Sequence, residues 1–336
     1  MRKALYIIAS FNIIRLLLIF IVDTLPLESF YFDNHTDTVL PFFVRLLFDT
    51  GIISTNSLIF LRLFSFFVSL LSQWTMFILL SKVIRSDNRK YISWIVVSIT
   101  LLITYVSITV LPDSLLLLFW TLSLLTLYNA VFDNDKKSWL LSGLFMGMAL
   151  LNKLSGLALP IGMLLFLIFS SRYRKYLISP YPYITLIVAA IISVPFVNRV
   201  IESQNISMKV YLAGDIIRFL TVPIGENTGF IGYQIIMIFP VLYIGLWWVT
   251  FKYFGRIFKK PNQVNAEFWF MFAFFLPLFL GFHMISFFSR VDFLGLIPVF
   301  ISGFVVLLRL IKKRWYYWSL GFSILGHILL LYYIVS

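Results

Sequence analysis

Four carboxylates crowd one short stretch of this sequence, Asp23, Glu28, Asp33 and Asp37, with His35 among them. Carboxylates held together in this way suit a general base that takes a hydroxyl proton, or a site for a divalent cation. His35 has no second histidine at a ligand spacing, so a zinc centre is not suggested, and the identity of any metal stays open. Asp113 stands apart, in Val110-Leu-Pro-Asp-Ser114, a turn between two apolar runs that is too short to leave a membrane interface. An ionisable side chain at such depth is costly and usually faces the protein interior or a wet cavity. Its plainer role is to cap the helix that follows. Arg62, Lys153 and Arg290 lie in or beside apolar runs. Arginine offers a paired grip on phosphate and lysine a point charge, while the plainer account is pairing with nearby acids or reaching for headgroups. Arg15 falls in the middle of the first apolar run and is expected to face the inside of a bundle.

The elements that must carry these groups follow from composition. Of 336 residues, 61% are apolar, 19% aromatic and 12% charged, with no cysteine. Mean hydropathy is +0.96. A soluble domain carries about 25% charged residues, so a soluble globule, a disordered chain and a disulfide scaffold are all excluded. Eleven apolar runs are read as membrane helices, at about 4–22, 58–80, 92–110, 114–132, 139–155, 157–170, 183–197, 230–251, 267–285, 292–310 and 315–335. In lipid every backbone polar group must be paired within the segment, and the alternating strands of a barrel are absent from the pattern. The expected fold is therefore an all-α polytopic membrane protein forming one domain over 1–336, with long extracytoplasmic loops at 23–57 and 198–229. Val39, Phe42, Phe43, Leu46 and Leu47 recur at helical spacing, which predicts an amphipathic extracytoplasmic helix in the first loop. Gly143 and Gly147 predict close packing of the fifth span on a neighbour.

The net charge of +13 reads as topology, not as nucleic-acid binding. Nineteen of the 27 Lys and Arg residues fall in one alternating set of loops, which by the positive-inside rule is cytoplasmic. This puts the N-terminus in the cytoplasm, the C-terminus outside, and the acidic loops on the extracytoplasmic face of the plasma membrane. The first run lacks a small-residue cleavage site and is expected to remain as a span. No Walker motif, Rossmann fingerprint or nucleophile elbow occurs, so nothing suggests a nucleotide-driven pump.

The order of motifs resembles the GT-C fold membrane glycosyltransferases, specifically bacterial relatives of the dolichyl-phosphate-mannose protein mannosyltransferases. The resemblance is carried by Leu111-Pro-Asp-Ser-Leu-Leu-Leu-Leu-Phe-Trp120, by Trp139-Leu-Leu-Ser-Gly-Leu-Phe-Met-Gly-Met-Ala-Leu-Leu-Asn-Lys-Leu-Ser155, by Pro195-Phe-Val-Asn198 and by Arg62-Leu63. It implies an inverting transferase that moves a sugar from a polyprenyl-phosphate donor to a lipid, glycan or protein hydroxyl at the extracytoplasmic face. Asp33 or Asp37 would be the base, with Asp113 supporting the base or the acceptor. Arg62, Lys153 and Arg290 would face the donor phosphate, and Asp23, His35 and Asn198 would support the acceptor or the loop. Tyr31-Phe-Asp-Asn-His-Thr-Asp-Thr-Val-Leu-Pro41 departs from the family's first-loop pattern, so Asp33 and Asp37 remain alternatives. A divalent cation is an option that no spacing demands. The rival from another class is a flippase or transporter of a lipid-linked intermediate, which should carry polar groups through the midplane and broken spans.

Overall fold

The computed structural model describes residues 2–21, 58–84, 86–109, 112–204, 224–259, 264–287, 296–310 and 313–335. The described residues form thirteen α-helices and two short 3-10 turns, and no strand. In chain order the helices are α1 (Arg2–Ile21), α2 (Leu58–Val83), α3 (Asp87–Ser98), α4 (Leu101–Ile108), α5 (Pro112–Phe132), α6 (Lys136–Asn152), α7 (Ala158–Phe169), α8 (Tyr181–Gln204), α9 (Ile224–Ile238), α10 (Pro240–Lys259), α11 (Ala266–Ile285), α12 (Ile297–Leu310) and α13 (Lys313–Val335). Among them four are long and apolar enough to cross a membrane, or six if each bent pair counts as one span. The other five expected runs fall on α6, α7, α8, α12 and α13. The amphipathic helix expected in the first loop lies outside the described residues.

Two expected spans are broken. The run 92–110 becomes α3 and α4, bent by 55°, and the run 230–251 becomes α9 and α10, bent by 109°. Pro240 explains the second break, because it lacks the N–H that a continuous helix would need. Phe239 just before it takes the left-handed backbone, with φ at 67°. Helix α8 also runs past its expected end, to Gln204.

Helix directions follow from the contacts at one end of the bundle. Lys82, near the end of α2, meets Asp133, just past α5, at 2.7 Å. Glu267, at the start of α11, meets Arg309 of α12 at 3.0 Å and accepts from the Tyr128 hydroxyl at 3.3 Å. Helices α2 and α5 therefore run in parallel, and α11 opposes them. A three-residue turn joins α5 to α6. Asn134 adopts φ 58° there, a conformation its short side chain tolerates. Asp135 caps α6 by accepting from Lys137 N–H at 3.1 Å and Ser138 Oγ–H at 2.6 Å. The Ser138 hydroxyl bond holds the Asp135 carboxyl below the usual carboxylate range.

The glycine pair behaves as its spacing predicts. A Cβ on Gly143 would lie 2.6 Å from the Thr185 carbonyl oxygen, and one on Gly147 would lie 2.6 Å from Ile192 Cβ. Helix α8 thus rests directly on α6, and Thr185 Oγ1 donates to the Trp139 carbonyl at 2.8 Å across the contact. Because 143 meets 185 and 147 meets 192, the two helices run in parallel. Both rise toward the end of the bundle where α5 begins.

Candidate functional site

Asp113 is the second residue of α5, directly after Pro112, whose missing N–H costs nothing at a helix start. The positive end of the helix dipole favours a carboxylate at that position. Asp113 is fully buried. Its Oδ1 lies 3.1 Å from Lys153 Nζ, whose side chain keeps 22% exposure against 0% for the aspartate. The pair therefore has one dry partner and one that reaches an open side.

Lys153 is placed by an abrupt end to α6. Its backbone is extended, φ −159° and ψ 143°, and a 3-10 turn over Leu154–Leu157 follows. The chain doubles back so tightly that a Cβ on Gly156 would sit 2.8 Å from the Ala149 carbonyl carbon and the Leu150 nitrogen. Glycine is the residue this approach permits, and the reversal is what aims Lys153 at the start of α5. Two further oxygens sit beside it. Asn152 Oδ1 and Ser155 Oγ are buried and find no hydrogen-bond partner among the described residues. Asn152 uses its amide nitrogen to bond the Met148 carbonyl at 2.7 Å.

Arg62 occupies the same end of the bundle, since α2 parallels α5 and Phe64 and Val68 pack against Leu115, Leu118 and Leu122. It is buried, and its Nη1 donates to the Ile19 carbonyl in the last turn of α1 at 3.3 Å. Asn198 lies in the final part of α8, which rises to this end. Asp23, Asp33, His35, Asp37 and Arg290 lie outside the described residues. Among the described residues no three His, Asp or Glu side chains group as metal ligands. The structure thus brings Asp113 and Lys153 together, and puts Arg62 and residue 198 at their level.

Sequence reasoning missed Asn152 and Ser155. The signal was present in Asn152-Lys-Leu-Ser155, a polar interruption of an apolar run. Chemically, the arrangement offers a buried carboxylate paired with a partly exposed ammonium, and buried polar oxygens on the residues either side of Lys153 in sequence. Such a set recognises anionic and hydroxyl-bearing groups.

The family model described as dolichyl-phosphate-mannose-protein mannosyltransferase matches residues 38–198. The match bears out the resemblance read from the motif order, and it spans Arg62, Asp113, Lys153 and Asn198. The matching family is one of membrane glycosyltransferases of the mannosyltransferase type. No curated protein and no solved structure matches the chain.

Proposed function

We propose that this chain is a membrane glycosyltransferase that moves a sugar from a polyprenyl-phosphate donor to an acceptor hydroxyl at the extracytoplasmic face, with inversion at the anomeric carbon. The observation that carries the proposal is the Asp113–Lys153 pair, at 3.1 Å within the region that matches the mannosyltransferase family. Charge is expensive in a bundle of this hydropathy, and a hydrophobic pair would hold two helices as well. Retaining it makes sense if the charges meet a substrate.

The end of the bundle that holds Lys82, Asp133, Glu267 and Arg309 adjoins the loops rich in Lys and Arg. The positive-inside rule then favours the cytoplasm for that end and the extracytoplasmic side for Asp113 and Lys153. In the reaction an acceptor oxygen bonds to the anomeric carbon as the bond from that carbon to the phosphate oxygen breaks. The hydroxyl proton passes to a carboxylate, Asp33 or Asp37, and polyprenyl phosphate leaves with the electron pair. Asp113 holds Lys153 in place with one hydrogen bond. Lys153, together with Arg62 and Arg290, faces the charge growing on the leaving phosphate. Asp23, His35 and Asn198 support the acceptor side. A divalent cation, if the reaction uses one, would sit on the first-loop acids.

The test is transfer from a radiolabelled polyprenyl-phosphate sugar in membranes carrying Asp33→Asn, Asp37→Asn, Asp113→Asn or Lys153→Met. Loss of a general base or of a phosphate contact is expected to cost about 10²- to 10⁴-fold. Wild-type transfer in all four variants would overturn the proposal.

One observation favours the second reading, a flippase for a lipid-linked intermediate. The two spans bent by 55° and 109° are the kind of discontinuity that transporters use at midplane sites. Under that reading the same variants would keep sugar transfer and lose lipid translocation.

A further inference from the structure

The break between α3 and α4 is held by a continuous set of hydrogen bonds in the bundle interior. A break in an apolar span exposes carbonyls that lipid cannot satisfy. Here two other helices supply the donors. Arg15 of α1 bonds the Ser98 carbonyl through Nη2, and Ser323 of α13 bonds the Ile99 carbonyl. Arg15 is buried and has no carboxylate within ion-pair distance among the described residues. The negative end of the α3 dipole is the counter-charge it meets.

From Arg15 the bonds run both ways. Its Nε donates to Thr104 Oγ1 at 3.0 Å, and the Thr104 hydroxyl meets His327 Nε2 at 2.7 Å. His327 Nδ1 lies 2.8 Å from the Ser323 carbonyl, which only accepts, so Nδ1 carries the proton and Nε2 receives the Thr104 hydroxyl. On the other side, Arg15 Nη1 donates to Asn12 Oδ1 at 2.9 Å, and the same oxygen accepts from Gln73 Nε2 at 3.3 Å. Gln73 reaches Ser69 Oγ at 3.5 Å, and Ser69 meets Ser107 hydroxyl to hydroxyl at 2.6 Å. Helix α4, only eight residues long, is thereby gripped at Thr104 by α1 and α13, and at Ser107 by α2. A helix this short has little stability of its own, so its direction is set by what holds it.

Helix α4 ends at Ile108, and α5 begins at Pro112 with Asp113 as its second residue. Only residues 109–111 lie between the two, so the direction in which α4 is held constrains where the chain enters α5. We infer that Arg15 and Thr104 are positioning residues, which set the place of Asp113 relative to Lys153 from within the membrane. This rests on the reading of Asp113 as part of the transferase site. Because they act through Asp113, their loss should lower the rate of the chemical step and leave donor binding largely intact. Misplacement by about 1 Å costs an enzyme up to about 10²-fold.

The experiment compares Thr104→Val, Thr104→Ser, Arg15→Met and Arg15→Lys with Asp113→Asn in the full-length protein. Transfer from a polyprenyl-phosphate sugar is measured in membranes, normalised to folded protein by size exclusion in detergent. Thr104→Val keeps the side-chain volume, so it remains informative should Arg15→Met not fold. Expected are a fall in kcat of about tenfold or more for Thr104→Val with KM near that of wild type, restoration by Thr104→Ser, and a milder loss in Arg15→Lys than in Arg15→Met. The double variant Thr104→Val/Asp113→Asn should fall no further than Asp113→Asn alone, because the two act through one position. Additive losses, or a wild-type kcat in Thr104→Val, would overturn the inference and leave the transferase reading standing. Wild-type transfer in Asp113→Asn would instead remove the reading on which it rests.

Discussion

Removing Lys153 takes a charged partner away from a carboxylate in a dry place. Lys153→Met should therefore destabilise the protein by about 3 kcal/mol, the low end for a broken buried pair because the ammonium is partly exposed. Asp113→Asn/Lys153→Met should recover most of that loss without recovering transfer. Thermal unfolding in detergent beside the transfer assay checks both. Asn152 makes the opposite forecast. Its Oδ1 is buried with no hydrogen-bond partner among the described residues, so Asn152→Leu should raise stability by about 1 kcal/mol. A fall in melting temperature would show that the oxygen is engaged. The charged members of the site were legible in the sequence, because Asp113 and Lys153 interrupt apolar runs at a visible cost. Asn152 and Ser155 were legible only as a polar interruption, since a neutral polar residue in such a run reads the same whether its oxygen is bonded or orphaned. Only the packed structure separates the two cases.

At the scale of helices, the runs themselves were legible from composition, and the Gly143 and Gly147 contact from spacing. Gly147→Leu would drive a side chain into Ile192 of α8, where even a Cβ would come within 2.6 Å. Overpacking of this kind costs about 1–3 kcal/mol, and the readout is a lowered melting temperature with α8 displaced from α6. The breaks were legible only in part. Pro240 announced the bend at Phe239, yet the apolar run through it masked the signal. The bend between α3 and α4 has no proline or glycine at all. It is made by Thr100, whose hydroxyl caps α4 by accepting from Ile103 N–H at 3.4 Å, and by donors from α1 and α13. Such a break is a property of the tertiary contacts and leaves no local mark.

Across the whole molecule, opposite charges gather at both ends of the bundle but in different company. One end ties Lys82 to Asp133 and Arg309 to Glu267, where each pair is partly exposed. The other buries Asp113. The chain has no cysteine, so single-cysteine reporters give unambiguous labelling. Lys137→Cys should be protected from a membrane-impermeant maleimide in intact cells and labelled after permeabilisation. Phe287→Cys, an exposed position just past α11, should be labelled in intact cells. The reverse pattern would turn the site toward the cytoplasm and remove the proposed face of the reaction.

Asp113 and Lys153 belong to consecutive helices joined by only three residues. A lone aspartate or lysine entering hydrocarbon carries a penalty of about 2.5–3.5 kcal/mol on insertion scales. Borne on the two arms of one hairpin, and levelled with each other when the arms close, they can enter lipid as a neutral couple. The feature that would equip this protein for chemistry thus also eases its biogenesis, because the partner that tames each charge arrives with it.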